Sequence, residues 1–266
     1  MKLQVLGREA YAYMGGKAFD AALPCVVFVH GAMSDHGKFV LLARWFAHHG
    51  WAVLAPDLPG HMRSAGPALA SVEAMADWLL ALLDAAGVQQ AALAGHSLGS
   101  LVALEAAARA PDRATHLVML GTAVPMPVPT ALLDMGLADP HAAIDRVVML
   151  SFSSLAAKPS YPGPGVWLRG AARALMRQVF AQGGDPRLFH TDFNACNAYT
   201  GGMDAAARVH CPAHLVLGSR DRMTQPKGAQ AVAAALKARV HMVPAGHFLM
   251  MESPDPTLAA VRSALA

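Results

Sequence analysis

Apolar residues along the chain fall into short continuous runs separated by stretches with helical spacing. Continuous runs of this length favour buried strands, and apolar positions three and four residues apart favour helices. The alternation predicts an α/β fold, a mostly parallel, doubly wound sheet with helices on both faces. The predicted strands are residues 24–29, 51–55, 91–94, 115–120, 213–218 and 240–243, and the predicted helices are residues 39–49, 71–86, 227–236 and the segments after Ser97 and after His247.

The first 22 residues show a different pattern. The aromatic residues Tyr11, Tyr13 and Phe19 surround the pair Gly15 and Gly16. Glycine pairs between such stretches are typical of hairpin turns. We expect a small hairpin around these glycines, covering one edge of the sheet.

Between residues 124 and 208 the alternation of strands and helices stops. Prolines break up the beginning of this segment, and residues 160–165 are rich in proline and glycine. Three helical stretches are predicted within it, at residues 141–150, 166–180 and 186–195. The segment therefore predicts a helical cap inserted into a core that consists of residues 1–123 and 209–266.

The residues 95–99, Gly-His-Ser-Leu-Gly, stand between a predicted strand and a predicted helix. A strand that turns into a helix within two residues leaves no room for side chains beside the serine, which explains the flanking glycines. The turn strains the backbone of Ser97 and holds its hydroxyl at a helix N-terminus, where developing negative charge is favoured. A G-x-S-x-G motif in this context predicts a nucleophilic serine.

Short motifs after other strands extend this pattern. His-Gly at residues 30–31, Asp-Leu-Pro-Gly-His at 57–61, Gly-Ser-Arg-Asp at 218–221 and Ala-Gly-His at 245–247 each follow a predicted strand. With these motifs and the chain order Ser, Asp, His, the chain resembles the α/β-hydrolase family. The resemblance implies a sheet of about eight strands and a serine hydrolase of the carboxylesterase or lipase type. Met62 departs from the family pattern, which has glycine there, and predicts another loop path with a thioether toward the mouth of the site.

A serine hydroxyl is a poor nucleophile without a base, and the base needs a group that orients it. The resemblance implies Ser97 as the nucleophile, His247 as the base and Asp221 as the orienting carboxylate. Two backbone N–H groups should bind the oxyanion. Leu98 is the first candidate and Ala32 the second, with the next residue, Met33, as the alternative to Ala32.

Other polar residues near these motifs are expected to be structural, because a triad needs only one base. They are His30, His61, His96 and the loop-bracing carboxylate of Asp57. In the cap, Arg169 and Arg173 lie four residues apart and could bind a carboxylate, although solvated arginines are the common case. Aromatic cap residues should face the site or the sheet, and some methionines could line an acyl pocket; these are Trp167, Phe189, Phe193 and Tyr199, and Met119, Met126, Met250 and Met251.

Composition limits the function classes. The chain is 55% hydrophobic and 15% charged with a net charge of +3 and no basic cluster, so disorder and nucleic-acid binding are disfavoured. No apolar run reaches the roughly 18 residues of a membrane helix. Three scattered cysteines and the absence of a signal-peptide pattern favour the cytoplasm. The histidines lack the spacing of metal ligands, and the sequence has no glycine-rich phosphate-binding loop, so we expect neither a metal nor a cofactor.

We therefore expect an enzyme that cleaves a carboxylic ester of a small to medium, largely apolar substrate, as a monomer or homodimer. The same triad also serves carbon–carbon bond hydrolases, acyltransferases and perhydrolases, and these readings stay open. From another class, the chain could be a ligand-binding protein on a hydrolase scaffold. Such proteins often lose a triad member, and this sequence keeps all three.

Overall fold

The computed structural model describes residues 1–266 and contains one sheet of eight strands. The order of the strands in the sheet is β1-β2-β4-β3-β5-β6-β7-β8. The strands are β1 (Lys2–Val5), β2 (Arg8–Tyr13), β3 (Cys25–Val29), β4 (Ala52–Pro56), β5 (Ala91–His96), β6 (Ala114–Leu120), β7 (Ala213–Gly218) and β8 (Arg239–Val243). From β4 to β8 all neighbours are parallel, and β1 and β2 add an antiparallel edge. The predicted fold class is confirmed.

Eleven α-helices accompany the sheet. They are α1 (Val40–Ala47), α2 (Val72–Ala85), α3 (Leu98–Arg109), α4 (Thr130–Ala138), α5 (Pro140–Ser151), α6 (Leu168–Gly183), α7 (Leu188–Ala198), α8 (Gly202–Ala206), α9 (Gln230–Ala235), α10 (Leu249–Glu252) and α11 (Pro254–Ala264). Ser71 begins α2 as predicted, because its hydroxyl accepts a hydrogen bond from the N–H of Ala74. None of the helices has both the length and the apolar character that crossing a membrane requires.

The buried apolar residues form three clusters. Alternate residues of the strands point to opposite faces, so one face packs on α2, α3 and α9 and the other on α1 and α11. The third cluster lies away from the sheet, among α4, α5, α6 and α7, and includes Met33 and Phe248 from the loops of the core. The helical segment between β6 and β7 thus has its own hydrophobic core, which rests on loops that follow the strands.

The N-terminal hairpin exists, but its turn was misplaced. The chain reverses at Leu6 and Gly7, both with positive φ, and β2 then pairs with β4 at the sheet edge. Gly15 packs instead against α1, where an added Cβ would collide with Ala43 and Ala47. A glycine that permits close packing and a glycine that permits a turn look alike in sequence.

The segment between β6 and β7 contains five helices, whereas three were predicted. The two additional helices are α4 and α8. With nine and five residues, they are too short for the apolar spacing to stand out. Tertiary contacts stabilise them: α4 packs on α5 and α7, and α8 packs on α3 of the core.

Candidate active site

Ser97 lies at the turn between β5 and α3, where its backbone has φ 54° and ψ −121°. Non-glycine residues rarely adopt a positive φ, because the side chain then collides with the backbone. A side chain at Gly95 would collide with the backbone of Gly99, and one at Gly99 with the carbonyls of Val29 and His30. The strained turn predicted from the G-x-S-x-G motif is therefore present, and the glycines are required by backbone contacts.

Asp221 and His247 form a buried hydrogen-bonded pair beside this turn. The Nδ1 of His247 lies 2.8 Å from Oδ2 of Asp221. The carboxylate also accepts the N–H groups of Met223 and Thr224, at 2.8 and 2.9 Å, and the Thr224 hydroxyl at 2.8 Å. Burial alone would raise the pKa of Asp221, but His247 and these hydrogen bonds outweigh it and lower the pKa below its usual value. The carboxylate is ionised near neutral pH.

Backbone contacts from two directions hold the His247 loop. The N–H of His247 donates to the carbonyl of Ser151, the last residue of α5, at 2.8 Å. On the opposite side, Nε2 of His96 donates to the carbonyl of His247 at 2.8 Å. Burial and the neighbouring His247 lower the pKa of His96 well below its ordinary value, so this ring is a neutral donor. His96 is thus structural, as expected.

The Ser97 hydroxyl and Nε2 of His247 open onto the same cavity. Neither atom has a hydrogen-bond partner in the protein. Both atoms remain accessible to solvent. The cavity measures about 440 Å³, and both residues line it. Most of its other lining is apolar, and it is contributed by residues 126–129, Ala131, Leu132, Met135, Leu150, Phe193, Cys196 and Met223.

The two backbone N–H groups predicted to bind an oxyanion have no acceptor in the protein. Leu98 is the first residue of α3 and has no intrahelical acceptor. The N–H of Ala32 makes no backbone or side-chain hydrogen bond, whereas that of Met33 donates to Oδ2 of Asp192 at 2.7 Å. The N–H of Met33 thus already has an acceptor, which favours Ala32 as the second candidate. Ala32, Ser97 and His247 also line a second, much smaller cavity of about 20 Å³.

Asp192 belongs to a second buried carboxylate–imidazole pair. It lies on α7, and its Oδ2 is 2.9 Å from Nε2 of His61, while Nδ1 of His61 donates to the carbonyl of Pro59 at 3.1 Å. Burial would lower the pKa of His61, but Asp192 outweighs it and raises the pKa above its ordinary value. Since Asp192 also accepts the N–H of Met33, it connects α7 to two loops of the core. His61 is structural, as expected, and the carboxylate that holds it was not foreseen.

His30 and Asp57 brace the loops below the site. The N–H of Leu58 donates to Nε2 of His30, and burial lowers the pKa of His30 to about 4, which keeps it neutral. Asp57 accepts Nδ1–H and the backbone N–H of His36. Asp35, His36 and Asp57 are also the one cluster whose ligand atoms are close enough to hold a metal ion, but hydrogen bonds already occupy them. The expectation of a metal-free, cofactor-free site stays a prediction.

Lys38 is buried beside the smaller cavity without an ion pair. Its Nζ lies 3.3 Å from the ring centroid of Phe248 and 3.2 Å from the sulfur of Met251. Burial lowers the pKa of Lys38 to about 7. The aromatic ring and the sulfur are the contacts that partly replace water around this amine.

Met62 does not reach the cavity. Its φ of 42° preserves the left-handed conformation that glycine would adopt, and its half-buried side chain packs against the cluster around α5 and α6. The expected thioether at the mouth of the site is therefore not found, whereas the different loop path stays a prediction.

The other cap residues singled out in the sequence separate into several environments. Phe193 and Met126 line the cavity, Phe189 lies in the core of the helical segment, and Tyr199 donates to Glu105 on α3. Trp167 is largely exposed, so the expectation that it faces the site or the sheet is wrong.

Of the other methionines, Met119 and Met250 belong to the core clusters, and Met251 packs at the edge of the third cluster. Met135 and Met223, which were not singled out in the sequence, line the cavity.

Three polar contributors to the site were missed. Thr224 follows Asp221 by three residues, and a threonine at this spacing after an aspartate is a weak local signal for such a turn. Asp192 gives no local signal, since its partners His61 and Met33 are 131 and 159 residues away in the chain. The third contributor is the pair of arginines at the cavity, Arg146 and Arg222.

Comparison with known proteins agrees with this architecture. The family model of the alpha/beta hydrolase fold matches residues 24–254. A pimeloyl-[acyl-carrier protein] methyl ester esterase of Chromobacterium violaceum is 31% identical over 211 residues, which cover 77% of this chain and 79% of that protein. Lipase LipV of Mycobacterium tuberculosis is 39% identical over 103 residues, and the shared stretch spans only 37% of either chain.

Solved structures extend the likeness over the whole chain. The enol-lactonase from Burkholderia xenovorans LB400 aligns with a TM-score of 0.84 over 100% of this chain and 99% of its own, at 20% sequence identity. The thermophilic esterase from Thermogutta terrifontis aligns with a TM-score of 0.83, also at 20% identity, over 100% of this chain and 97% of its own. Identities this low indicate a common fold and no more. By its matched family model, its fold and its relative from Chromobacterium violaceum, the chain belongs to the alpha/beta hydrolase fold family.

Proposed function

We propose that the protein is a serine hydrolase that cleaves carboxylic esters of small to medium, largely apolar compounds through an acyl-enzyme. One observation carries this proposal. An imidazole nitrogen of His247 without a protein partner opens onto the same cavity as the hydroxyl of Ser97, while the other nitrogen is held by a buried, ionised Asp221. A base oriented in this way can activate the serine hydroxyl once the two atoms come within hydrogen-bond distance. The name of the relative from Chromobacterium violaceum, a methyl ester esterase, supports the same reaction class.

In the proposed acylation, His247 Nε2 takes the proton of Ser97 as the oxygen attacks the ester carbonyl. Asp221 fixes the tautomer and stabilises the imidazolium that forms. The N–H groups of Ala32 and Leu98 bind the oxyanion, because neither has an acceptor of its own. The carbon–oxygen bond of the ester then breaks, and the alcohol leaves with the proton from His247.

Deacylation follows the same path with water in place of serine. His247 takes a proton from water, the hydroxide attacks the acyl-enzyme, and the proton returns to Ser97 as the acid departs. The three cysteines are free thiols, two of them buried, and we infer that the enzyme works in the reducing environment of the cytoplasm.

The test is intact-mass analysis after incubation with a fluorophosphonate, combined with turnover of p-nitrophenyl esters from acetate to decanoate. Wild type is expected to gain one phosphonyl group and to hydrolyse the esters, and Ser97→Ala is expected to do neither. Labelling without turnover of any ester would instead favour an acyltransferase or carbon–carbon hydrolase. If wild type were neither labelled nor active, the hydrolase proposal would be wrong, and a binding protein on this scaffold would replace it.

A further inference from the structure

The charged residues around the catalytic cavity all have the same sign. Among the sixteen lining residues, Arg146 and Arg222 are charged at neutral pH, and no aspartate or glutamate is present. The catalytic Asp221 lies behind His247 and Thr224 and does not line the cavity. A mostly apolar cavity with two guanidinium groups attracts a ligand that combines an apolar body with an anionic group.

Arg146 has no protein partner for its charge. It lies on α5, is exposed, and forms no ion pair or side-chain hydrogen bond. The neighbouring Asp145 cannot neutralise it, because that carboxylate binds Arg173 at 2.9 Å and Arg177 at 3.2 Å. Arg173, one of the two arginines that the sequence suggested for carboxylate binding, is therefore already paired. Arg146 keeps all of its donors available for a ligand.

Arg222 is held in place without being neutralised. Its Nη2 donates to the carbonyl of Met149 at 2.9 Å and, more weakly, to that of Phe152 at 3.4 Å. Carbonyl oxygens orient the guanidinium but carry no formal charge, so the positive charge remains at the cavity. These contacts connect the loop of Asp221 with the C-terminal half of α5, where Arg146 also lies.

A second hollow continues from the cavity at Arg146. It measures about 410 Å³ and shares Met135 and Arg146 with the cavity. Arg169 and Arg173 also line it, together with one carboxylate, that of Asp145. Arg146 therefore stands where the apolar cavity meets a surface that is also basic. A group bound there would be separated from Ser97 by the apolar lining.

We propose that the substrate carries a carboxylate, separated from its ester by an apolar chain, and that Arg146 and Arg222 bind this carboxylate. The inference rests on the proposed ester hydrolysis and names its substrate class more closely. A guanidinium forms two parallel hydrogen bonds with a carboxylate, so Arg146 supplies direction as well as charge. This contact is present in the bound substrate and in the transition state alike, and its loss should raise KM more than it lowers kcat.

Paired substrates measure the contribution of the carboxylate. On the acyl side, p-nitrophenyl hydrogen glutarate, adipate and suberate are compared with neutral p-nitrophenyl esters of the same chain length. On the alcohol side, 4-carboxyphenyl acetate is compared with 4-carbamoylphenyl acetate. Wild type is expected to prefer the acidic member of one pair by about tenfold in kcat/KM, the order of one charge-assisted hydrogen bond. The pair that shows the preference identifies the part of the ester that carries the carboxylate.

Variants then assign the preference to the arginines. Arg146→Gln is expected to remove most of the preference through KM, and Arg146→Lys to restore part of it. Arg208→Gln, a matched loss of one exposed arginine outside the cavity, should retain the wild-type preference. Because Arg222 adjoins Asp221, Arg222→Gln is judged by the acidic-to-neutral ratio and not by absolute activity.

A binding measurement separates this inference from the proposed reaction. In Ser97→Ala, adipate is titrated by calorimetry and compared with neutral adipamide. Binding of adipate that weakens about tenfold in Ser97→Ala/Arg146→Gln supports the anion subsite even if no ester is hydrolysed. Equal kcat/KM for acidic and neutral esters in wild type, or a preference and an adipate affinity that Arg146→Gln leaves intact, would overturn it.

Discussion

Two buried carboxylate–imidazole pairs of nearly equal length serve different ends in this molecule. Asp221 and His247 are 2.8 Å apart, and Asp192 and His61 are 2.9 Å apart, and all four side chains are at most 4% exposed. The pairs differ at the second ring nitrogen. That of His247 opens onto the large cavity, whereas that of His61 is bonded to the carbonyl of Pro59.

This difference separates a base from a structural connection. A carboxylate can orient any imidazole, but only a ring with a free nitrogen can take a proton from another group. Both nitrogens of His61 face acceptors, which favours its charged form and raises its pKa. Asp192, in turn, fixes the N–H of Met33 next to the proposed oxyanion donor, Ala32. The same pair of residue types thus supports catalysis in one place and holds a loop in the other.

Replacing each histidine by glutamine should produce the largest difference between the two pairs. We expect His247→Gln to lower kcat for p-nitrophenyl esters by about 10⁴-fold or more, because no other histidine lines the large cavity with Ser97. We expect His61→Gln to retain kcat within about tenfold but to lose stability, since it leaves a buried carboxylate without its cation. Steady-state kinetics and urea unfolding measure both quantities, and a loss of activity in His61→Gln as large as that in His247→Gln would contradict the assignment.

The Asp192–His61 pair should also make stability depend on pH. The pKa of His61 is raised in the folded protein, so the pair stabilises the fold fully below about pH 6.5, the ordinary pKa of histidine, and less as pH rises through the folded value. Asp192→Asn retains an acceptor for Met33 but removes the charge. We expect it to lower the free energy of unfolding by about 3 to 5 kcal/mol at pH 6 and by less at pH 9.

Urea unfolding of wild type and Asp192→Asn at several pH values between 5 and 9 checks this. Arg208→Gln controls for general effects of charge, because Arg208 is exposed and is not a partner of Asp192 or His61. An equal loss of stability at all pH values would mean that His61 is not charged in the folded protein.

The smallest expected effect is that of replacing Thr224, which belongs to the Asp221–His247 pair and has no counterpart at the other pair. Its hydroxyl donates to the same Asp221 oxygen that binds His247 and lies 3.1 Å from Nδ1 of the ring. We expect Thr224→Val to lower kcat about tenfold, as one lost hydrogen bond to a charged group predicts, and to move the acidic limb of the pH profile of kcat upward. Thr224→Ser should restore both. A Val variant with lower kcat and an unchanged pH profile would indicate a packing role only.

The sequence predicted the elements whose signals are local. The strands of the parallel sheet, the turn at Ser97 and the loops that hold Asp221 and His247 follow from apolar runs and short motifs, because neighbouring residues decide the backbone there. The helices α4 and α8 and the hairpin turn at Leu6 and Gly7 were not predicted correctly, because short helices and turns depend on what packs against them.

The sequence by itself determined the fold class. It also determined that Ser97, Asp221 and His247 follow parallel strands, and the carboxyl ends of such strands lie at the same edge of the sheet. Tertiary structure decided which groups surround them. The link from Asp192 to His61 joins residues 131 positions apart. Arg146 and Arg222 come to line one cavity because the loop of Asp221 lies against α5, where Arg222 donates to the carbonyl of Met149. Such contacts form between segments that are distant in sequence, so no pattern within a short stretch can encode them, and they determine what the cavity can bind.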